Sequence, residues 1–347
     1  MKAIALTGIR QLETIQVDEP KIESPDQVLL HVDTIGVCGS DLHYYRTGRI
    51  GDQVVDFPFI LGHECSATVL ETGSDVETLE PGDRVALDPL IWCNQCDQCL
   101  SGRVHTCRNQ AFLGCPGQHA GCLGELLVMP AASCFRIPES LTDNQAALVE
   151  PFSIGLYAQR LAEKDLTGKA VAILGSGPIG LSVMLACKAA GCRAVYMTDI
   201  RDYRVEHARK MNADFAANPQ TTDIVAGILD KEPDGVDYSF ECAGEQETVD
   251  QAVRITRPGG KILLVGIPEF DRISFEVSAV RRAEITLQPV RRQNECVQDA
   301  IDLVAAGKVD LDAMVTHEMD LDQTEQAYRI LDDYSDGVIK AMVHVPT

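Results

Sequence analysis

The chain has 347 residues, of which 45% are hydrophobic and 24% are charged, and its formal net charge is −22 at pH 7. This length exceeds the size at which a single hydrophobic core usually stops growing, so we expect two domains. The strongly negative charge repels nucleic-acid phosphates and anionic lipid headgroups, which argues against partners of either kind. The apolar runs are too short to span a membrane and no signal peptide precedes Met1, so we expect a cytoplasmic protein.

The chain divides into two regions with different residue patterns. The first 150 residues contain short β-type segments broken by Gly and Pro, such as residues 27–37, 66–73 and 83–89, which predict an antiparallel, barrel-like domain. From about Lys169, apolar strands alternate with longer helical patterns, which predict a doubly wound parallel sheet of about six strands. The chain ends in an apolar segment, residues 338–345, that we expect to return as a strand to the first domain.

A glycine-rich turn lies at the first strand-to-helix transition of the second region. Residues 175–180 read Gly-Ser-Gly-Pro-Ile-Gly, directly after an apolar strand and directly before a helical stretch. Gly175 permits the tight turn, Gly177 lets the backbone approach a pyrophosphate, and Gly180 lets the helix pack close to the strand. The motif in this context predicts a dinucleotide site, the alternative being a glycine-rich turn without a nucleotide.

Asp199 stands at the end of the next predicted strand. A carboxylate there accepts hydrogen bonds from the ribose hydroxyls and repels a 2′-phosphate, which favours NAD over NADP. Arg201 and Arg204 follow closely, and an arginine in this loop can instead hold a 2′-phosphate. We expect NAD.

Four of the thirteen cysteines crowd into one polar loop with the spacing C-x2-C-x2-C-x7-C: Cys93, Cys96, Cys99 and Cys107. Four thiolates complete a tetrahedron around zinc and leave no coordination position for a substrate, so the pattern predicts a structural zinc site. An iron–sulfur cluster and four unrelated thiols are the alternatives. A zinc-ribbon module that binds nucleic acid is disfavoured by the net charge.

A second group of candidate ligands is spread along the chain and comprises Cys38, His63, Glu64 and Glu150. A thiolate, an imidazole and a carboxylate with one position open to water are typical of catalytic rather than structural zinc. Each residue alone has an ordinary explanation, since His63 and Glu64 fit a turn and Glu150 fits a helix cap. Their occurrence beside a dinucleotide motif favours the catalytic interpretation.

Five parts of the chain carry a family resemblance: residues 36–64, the cysteine loop, "EPFSIG" from residue 150, "GSGPIG" with "TDI", and residues 309–321. They resemble the zinc-dependent medium-chain alcohol dehydrogenase family, in particular its sorbitol (polyol) dehydrogenase branch. The resemblance implies an α/β chain with a GroES-like β-barrel catalytic domain, residues 1–150 and 291–347, and a Rossmann domain of doubly wound parallel sheet, residues 151–290. It also implies one catalytic and one structural zinc ion, NAD as cofactor, and a homodimer or homotetramer.

The resemblance also assigns roles to individual residues. Cys38, His63 and either Glu64 or Glu150 would bind the catalytic zinc, and the remaining glutamate would hold or exchange the bound water. Asp41 would orient the imidazole that binds zinc. The further implied roles are a proton relay for Ser40 and His43, substrate contacts for Tyr44 and Arg291, and cofactor contacts for Gly175, Gly177, Pro178, Ile179, Gly180, Asp199, Arg204 and Gly266.

The expected reaction is hydride transfer from a secondary alcohol of a polyol-like substrate to NAD. Two departures from the sorbitol branch leave the substrate open: the chain keeps the four-cysteine loop, and Arg292 stands where an aromatic residue is common. L-threonine, a sugar acid and a polyol phosphate are therefore alternative substrates. A zinc-free enoyl or quinone reductase would not need the scattered ligands, and a catalytically silent NAD-binding structural protein is the alternative from another class.

Overall fold

A computed structural model describes residues 1–346, which form two compact units. The first unit consists of Met1–Glu150, Val297–Gly307 and the tail from Leu311 onward. The second consists of Pro151–Cys296 and Lys308–Asp310. The assignment of catalysis to the first unit and of NAD binding to the second stays a prediction.

Short strands dominate the first 150 residues, as the Gly and Pro interruptions predict. The strands are β1 (Lys2–Gly8), β2 (Gln11–Gln16), β3 (Gln27–Gly36), β4 (Arg49–Ile50), β5 (Gln53–Val54), β6 (Phe59–Ile60), β7 (Glu64–Thr72), β8 (Arg84–Leu87), β9 (Leu90–Ile91), β10 (Ala111–Phe112), β11 (Leu126–Pro130) and β12 (Cys134–Arg136). The helices are α1 (Gly39–Thr47), α2 (Asp97–Leu100) and α3 (Asp143–Ala162), with 3-10 turns at Val104–Thr106 and Ala131–Ser133.

Longer helices alternate with strands in the middle of the chain. The strands are β13 (Ala170–Leu174), β14 (Ala194–Thr198), β15 (Phe215–Ala217), β16 (Val236–Glu241), β17 (Thr256–Leu264) and β18 (Thr286–Pro289). The helices are α4 (Pro178–Ala189), α5 (Asp202–Lys210), α6 (Ile224–Leu229), α7 (Gln246–Ile255) and α8 (Val277–Arg282).

The C-terminal part contributes two helices and two strands. In chain order these are α9 (Val297–Ala305), β19 (Val315–Asp320), α10 (Thr324–Asp332) and β20 (Lys340–His344), with 3-10 turns at Asp312–Met314 and Leu321–Gln323. In the part of the chain that the structure describes, no helix combines the length and apolar character that a bilayer span requires.

The main sheet of the first unit has seven strands, six of them in the order β12-β8-β7-β3-β20-β19, with β11 also paired to β3. The terminal strand β20 lies antiparallel to β3, with Val343 opposite Ile35. From Gln27 to Thr34, strand β3 alternates half-buried and buried residues, which is the pattern of a sheet with one face against a core. The structure therefore places the last strand of the chain inside the sheet rather than at its edge.

The sheet of the second unit is parallel throughout, with the order β15-β14-β13-β16-β17-β18. Strands β13 and β14 are buried at every residue, which explains their unbroken apolar sequences. The order reverses between β13 and β16, and ligands of doubly wound sheets bind at the carboxyl ends of the strands at such a switch. The predicted six-stranded doubly wound sheet is confirmed.

Candidate active site and metal centres

The four clustered cysteines converge in the structure. Their sulfurs all lie within 4.8 Å of one another. The Sγ atoms of Cys96 and Cys99 are 3.6 Å apart, those of Cys93 and Cys107 are 3.4 Å apart, and those of Cys96 and Cys107 are 3.9 Å apart. Four sulfurs at about 2.3 Å from a zinc ion would stand about 3.8 Å apart, so the arrangement fits tetrahedral coordination.

The pKa values of two of these thiols are shifted in opposite directions. Backbone N–H groups, first that of Gln95, lower the pKa of Cys93 to about 6. Desolvation and the neighbouring thiols raise the pKa of Cys99 to about 12. Thiolates so close together repel one another, and a bound metal ion removes that repulsion.

The second ligand group is assembled from two elements of the first unit, the start of α1 and the start of β7. Cys38 occupies the position just before the first residue of α1, His63 immediately precedes β7, and Glu64 begins β7 opposite Gly36 of β3. One ligand atom of each of Cys38, His63 and Glu64 lies within 4.8 Å of the others, and Glu150 lies outside this group. The mixed thiolate, imidazole and carboxylate donors suit zinc with an open position.

Asp41 lies behind His63, as the resemblance implies. Its Oδ1 is 3.3 Å from Nδ1 of His63, and both side chains are buried. Burial opposes the charged imidazolium, but Asp41 and Cys38 outweigh it and raise the pKa of His63. An imidazole held at Nδ1 by a carboxylate presents Nε2 to a metal.

Glu64 is paired with a residue that the sequence analysis did not name. Lys340, on β20, donates from Nζ to Oε2 of Glu64 and to the carbonyl of Val37 at 3.0 Å, and both side chains of the ion pair are 1% exposed. A Cβ at position 36 would overlap Oε2 of Glu64 and crowd Lys340, so Gly36 makes room for the pair. Burial opposes the ammonium charge, but the Glu64 carboxylate more than offsets it and the pKa of Lys340 is raised.

Glu150 lies inside α3 rather than at its cap, so the alternative of a helix cap is wrong. Its side chain is buried, and burial raises the pKa of its carboxyl to about 8, with His63 opposing and Glu64 and Asp88 adding to the shift. Glu150 is therefore close enough to His63 and Glu64 for their charges to act on it. Its role in holding or exchanging a zinc-bound water stays a prediction.

The remaining predicted residues of the first unit lie on α1. The Ser40 hydroxyl donates to Sγ of Cys38 at 3.3 Å, and the half-buried His43 is three residues further along the helix. Tyr44 is buried, and its hydroxyl donates to Oε1 of Gln53 at 3.0 Å. The predicted substrate contact Arg291 is exposed and follows β18 in the second unit.

The glycine motif forms the turn between β13 and α4. Gly175 has a φ of 109°, a backbone conformation that glycine adopts without strain, and Pro178 begins α4 directly after Gly177. A Cβ at Gly180 would overlap the carbonyl oxygen of Gly175, so only glycine allows this approach. Ile179 lies in the first turn of α4, where free backbone N–H groups can receive a phosphate.

Asp199 lies just beyond β14 and faces this turn. Its Oδ2 accepts a hydrogen bond from the backbone N–H of Ser176 and its Oδ1 from that of Arg201, both at 2.9 Å. The Nη1 of Arg204 is 3.8 Å from Oδ2, and a Cβ at Gly177 would touch the same Nη1 at 3.4 Å. Two backbone donors thus hold the carboxylate beside the glycine turn.

The carboxyl ends of β16 and β17 meet at the same edge of the sheet. Gly175 lies against the backbone of Cys242, and a Cβ at Gly266 would overlap the nitrogen of Gly244. Glu241 accepts hydrogen bonds from the N–H groups of Ala243 and Gly244 and from Thr248, which shapes this loop. The predicted cofactor residue Gly266 is therefore packed against the loop after β16, at the switch point of the sheet.

Comparison with known families matches both units. An "Alcohol dehydrogenase GroES-like domain" covers residues 24–139, and a "Zinc-binding dehydrogenase" domain covers residues 178–306. The chain belongs to the zinc-dependent medium-chain alcohol dehydrogenase family. The predicted family and its GroES-like plus Rossmann fold class are thereby confirmed, and the chain is an oxidoreductase.

Individual members of the family align with nearly the whole chain. Sorbitol dehydrogenase of Bacillus subtilis (strain 168) is 36% identical over 99% of this chain and 97% of its own length. L-Idonate 5-dehydrogenase of Vitis vinifera is 34% identical over 92% of this chain and 88% of its own length. A solved structure from Sinorhizobium meliloti 1021, bound to NADP, is 30% identical and superposes with a TM-score of 0.89, covering 99% of this chain and 98% of that one.

Sequence reasoning about this dehydrogenase missed Lys340 and Glu241. Lys340 is the single lysine in the apolar segment 338–345. A buried ammonium needs a partner, so this pattern could have predicted a buried ion pair. Glu241 ends an apolar strand just before Gly244, and a carboxylate at that position can cap the following loop. In both cases the partner is defined only by the fold.

Proposed function

We propose that the chain is an NAD-linked, zinc-dependent dehydrogenase that oxidises a secondary alcohol of a polyol or sugar acid. The observation that carries the proposal is the convergence of Cys38, His63 and Glu64 within 4.8 Å, with Asp41 behind the imidazole. The activities named for two relatives, on sorbitol and on L-idonate, support this substrate class.

The two ligand groups suit two different zinc ions. The four-cysteine group offers a complete tetrahedron, which is typical of a structural site. Cys38, His63 and Glu64 offer three ligands and leave a position for substrate or water. We expect one structural and one catalytic zinc per chain.

Zinc, when bound, lowers the pKa of a substrate alcohol as a Lewis acid, and NAD accepts the hydride. The protein holds the ligands in place: Asp41 orients His63, and Lys340 fixes the Glu64 carboxylate. Ser40 and His43 are three residues apart on α1 and share one face of that helix, so they can pass the alcohol proton outward.

NAD is the cofactor we propose, because Asp199 is held beside the glycine turn and would repel a 2′-phosphate. Arg204, which could attract that phosphate, lies 3.8 Å from the Asp199 carboxylate, which partly neutralises its charge. The relative from Sinorhizobium meliloti binds NADP, so the test of this proposal compares kcat/KM with NAD and with NADP.

The polar character of the site favours polyhydroxylated substrates over simple alcohols. Glu64 and Glu150 are hydrogen-bonding groups near the proposed zinc, and a polar site rejects ligands that leave its groups unpaired. Arg291 would pair with the carboxylate of a sugar acid or with a phosphate.

The test is a screen for NADH formation with sorbitol, xylitol, galactitol, inositols, aldonates, a polyol phosphate, threonine, ethanol and 1-hexanol, together with metal analysis. We expect about two zinc ions per chain and the highest kcat/KM with a polyol or aldonate. Cys38→Ser should lose activity and one zinc ion, whereas the control Cys192→Ser, in the second unit, should retain both.

Each other outcome rejects part of the proposal. A higher kcat/KM with ethanol or 1-hexanol than with every polyhydroxylated compound rejects the polyol class, and a preference for threonine replaces it with an amino alcohol. Binding of NADH without turnover of any compound indicates a catalytically silent protein. Protein purified without chelator that contains no zinc rejects the zinc-dependent mechanism.

We also propose that the enzyme acts in the cytoplasm and that it works as a homodimer or homotetramer; the family resemblance implies the assembly. Light scattering of the purified chain measures the assembly directly. A monomer with full activity would reject this part of the proposal without affecting the chemistry.

A further inference from the structure

Two buried polar side chains near the proposed catalytic zinc site have no hydrogen-bond partner among residues 1–346. They are the carboxylate of Asp41 and the hydroxyl of Tyr328, and both residues are 0% exposed. The close polar neighbour of Asp41 is Nδ1 of His63, which lies 3.3 Å from Oδ1; Oδ2 of Asp41 and the Tyr328 hydroxyl have no polar partner among the described residues. A buried polar group that is left unsatisfied costs about 1–3 kcal/mol, so such groups are rare in native proteins.

The packing of two helices brings these groups into one region. Asp41 and Tyr45 are four residues apart on α1 and therefore share one face of that helix. Tyr328, on α10, packs its ring against that of Tyr45, with centroids 5.5 Å apart and planes tilted by 56°. The Tyr328 ring thus lies against the face of α1 that carries Asp41.

The electrostatic environment of Tyr328 also indicates that its hydroxyl lies near Asp41. Burial raises the pKa of the Tyr328 hydroxyl well above its usual value, and among the charged groups that add to the shift Asp41 comes first. The hydroxyl therefore stays protonated and can donate. Asp41 also acts on the buried thiol of Cys122, but that thiol is engaged with Cys65 and is only a weak donor.

We propose that Tyr328 is a positioning residue whose hydroxyl donates a hydrogen bond, through one buried water, to the Asp41 carboxylate and so holds that carboxylate against His63. The inference rests on the proposed zinc at Cys38, His63 and Glu64. It adds α10 to β20, whose Lys340 pairs with Glu64, as a C-terminal element that supports the site. Residues that hydrogen-bond the other nitrogen of a zinc-bound histidine change its affinity for the metal, because they set the orientation and the basicity of the imidazole ring.

The test compares Tyr328→Phe with the matched control Tyr45→Phe, which removes a hydroxyl from the other ring of the same aromatic pair. Zinc affinity at the catalytic site is measured by competition with a chelator. The absorption spectrum of the cobalt-substituted protein reports ligand geometry, since a site with one thiolate has weaker sulfur-to-cobalt bands than the four-thiolate site. Asp41→Asn and the double variant Asp41→Asn/Tyr328→Phe complete the set.

We expect Asp41→Asn to weaken zinc binding about 10- to 100-fold. Tyr328→Phe, one step further from the metal, should weaken it about three- to tenfold and shift the cobalt spectrum, whereas Tyr45→Phe should change neither. The double variant should bind zinc as weakly as Asp41→Asn alone, because the hydroxyl acts through that carboxylate.

Three results overturn the inference: an unchanged zinc affinity in Tyr328→Phe, an equal loss in Tyr45→Phe, or additive losses in the double variant. A lower melting temperature in Tyr328→Phe with unchanged zinc affinity and cobalt spectrum would show a merely structural role and overturns it too. If the unmodified protein binds no zinc at Cys38, His63 and Glu64, the proposed function fails first. If it binds zinc and Tyr328→Phe has no effect, only this inference fails.

Discussion

Replacing Lys340 by methionine tests the buried ion pair with Glu64. Methionine keeps the apolar length of the side chain and removes the ammonium group that donates to Glu64 and to the carbonyl of Val37. The Glu64 carboxylate, 1% exposed, would then remain buried without its counter-ion. Removal of one partner of a buried pair costs about 3–5 kcal/mol, because the other charge is left uncompensated.

In a domain of this size each kcal/mol corresponds to about 2–4 °C, so the melting temperature of the metal-free protein should fall by roughly 6–20 °C. A zinc ion beside Glu64 would supply the missing positive charge, so the loss should be smaller in the zinc-loaded protein. The raised pKa of Lys340 keeps the pair charged at neutral pH, and its contribution should be lost only as the pH rises through that value, above 10.5.

The assay is thermal and urea unfolding of the zinc-loaded and chelator-treated protein. Lys340→Met/Glu64→Gln should recover most of the loss, since a buried pair can often be replaced by neutral groups at little cost. Glu206→Gln serves as the control because its contact with Arg209, at 3.6 Å, lies at the surface and should contribute less than about 1 kcal/mol. A loss below about 1 kcal/mol in Lys340→Met, or additive losses in the double variant, would refute the reasoning.

Three further changes probe the other sites. Cys99→Ser should remove one zinc ion per chain and lower the melting temperature while the KM for the alcohol stays unchanged; a full zinc content by metal analysis would contradict this. Asp199→Ser should raise the ratio of kcat/KM with NADP to kcat/KM with NAD about 10- to 100-fold, because it removes charge-assisted hydrogen bonds to the ribose of NAD. An unchanged ratio would show that other residues decide the choice of cofactor. Gly180→Ala should weaken NADH binding in a fluorescence titration because its Cβ would displace the Gly175 carbonyl, and an unchanged Kd would place the nucleotide elsewhere.

The sequence by itself determined the features that depend on neighbours along the chain. Cys93, Cys96, Cys99 and Cys107 span fifteen residues, so their spacing alone predicts a common ligand site, and the structure brings their sulfurs together. The glycine turn of residues 175–180 and the alternation of strand and helix around it predicted the doubly wound sheet in the same way. Such features are local because short connections leave the chain few other conformations.

Only the tertiary structure decided how distant segments complete the proposed catalytic zinc site. The sequence left Glu64 and Glu150 equivalent, whereas the fold places Glu64 with Cys38 and His63 and leaves Glu150 outside that group. The partner of Glu64 is Lys340, 276 residues away, and it arrives because β20 pairs with β3 inside the sheet. A buried charge demands some partner, but the pairing of strands that are remote in sequence selects which one, and no local pattern records that choice.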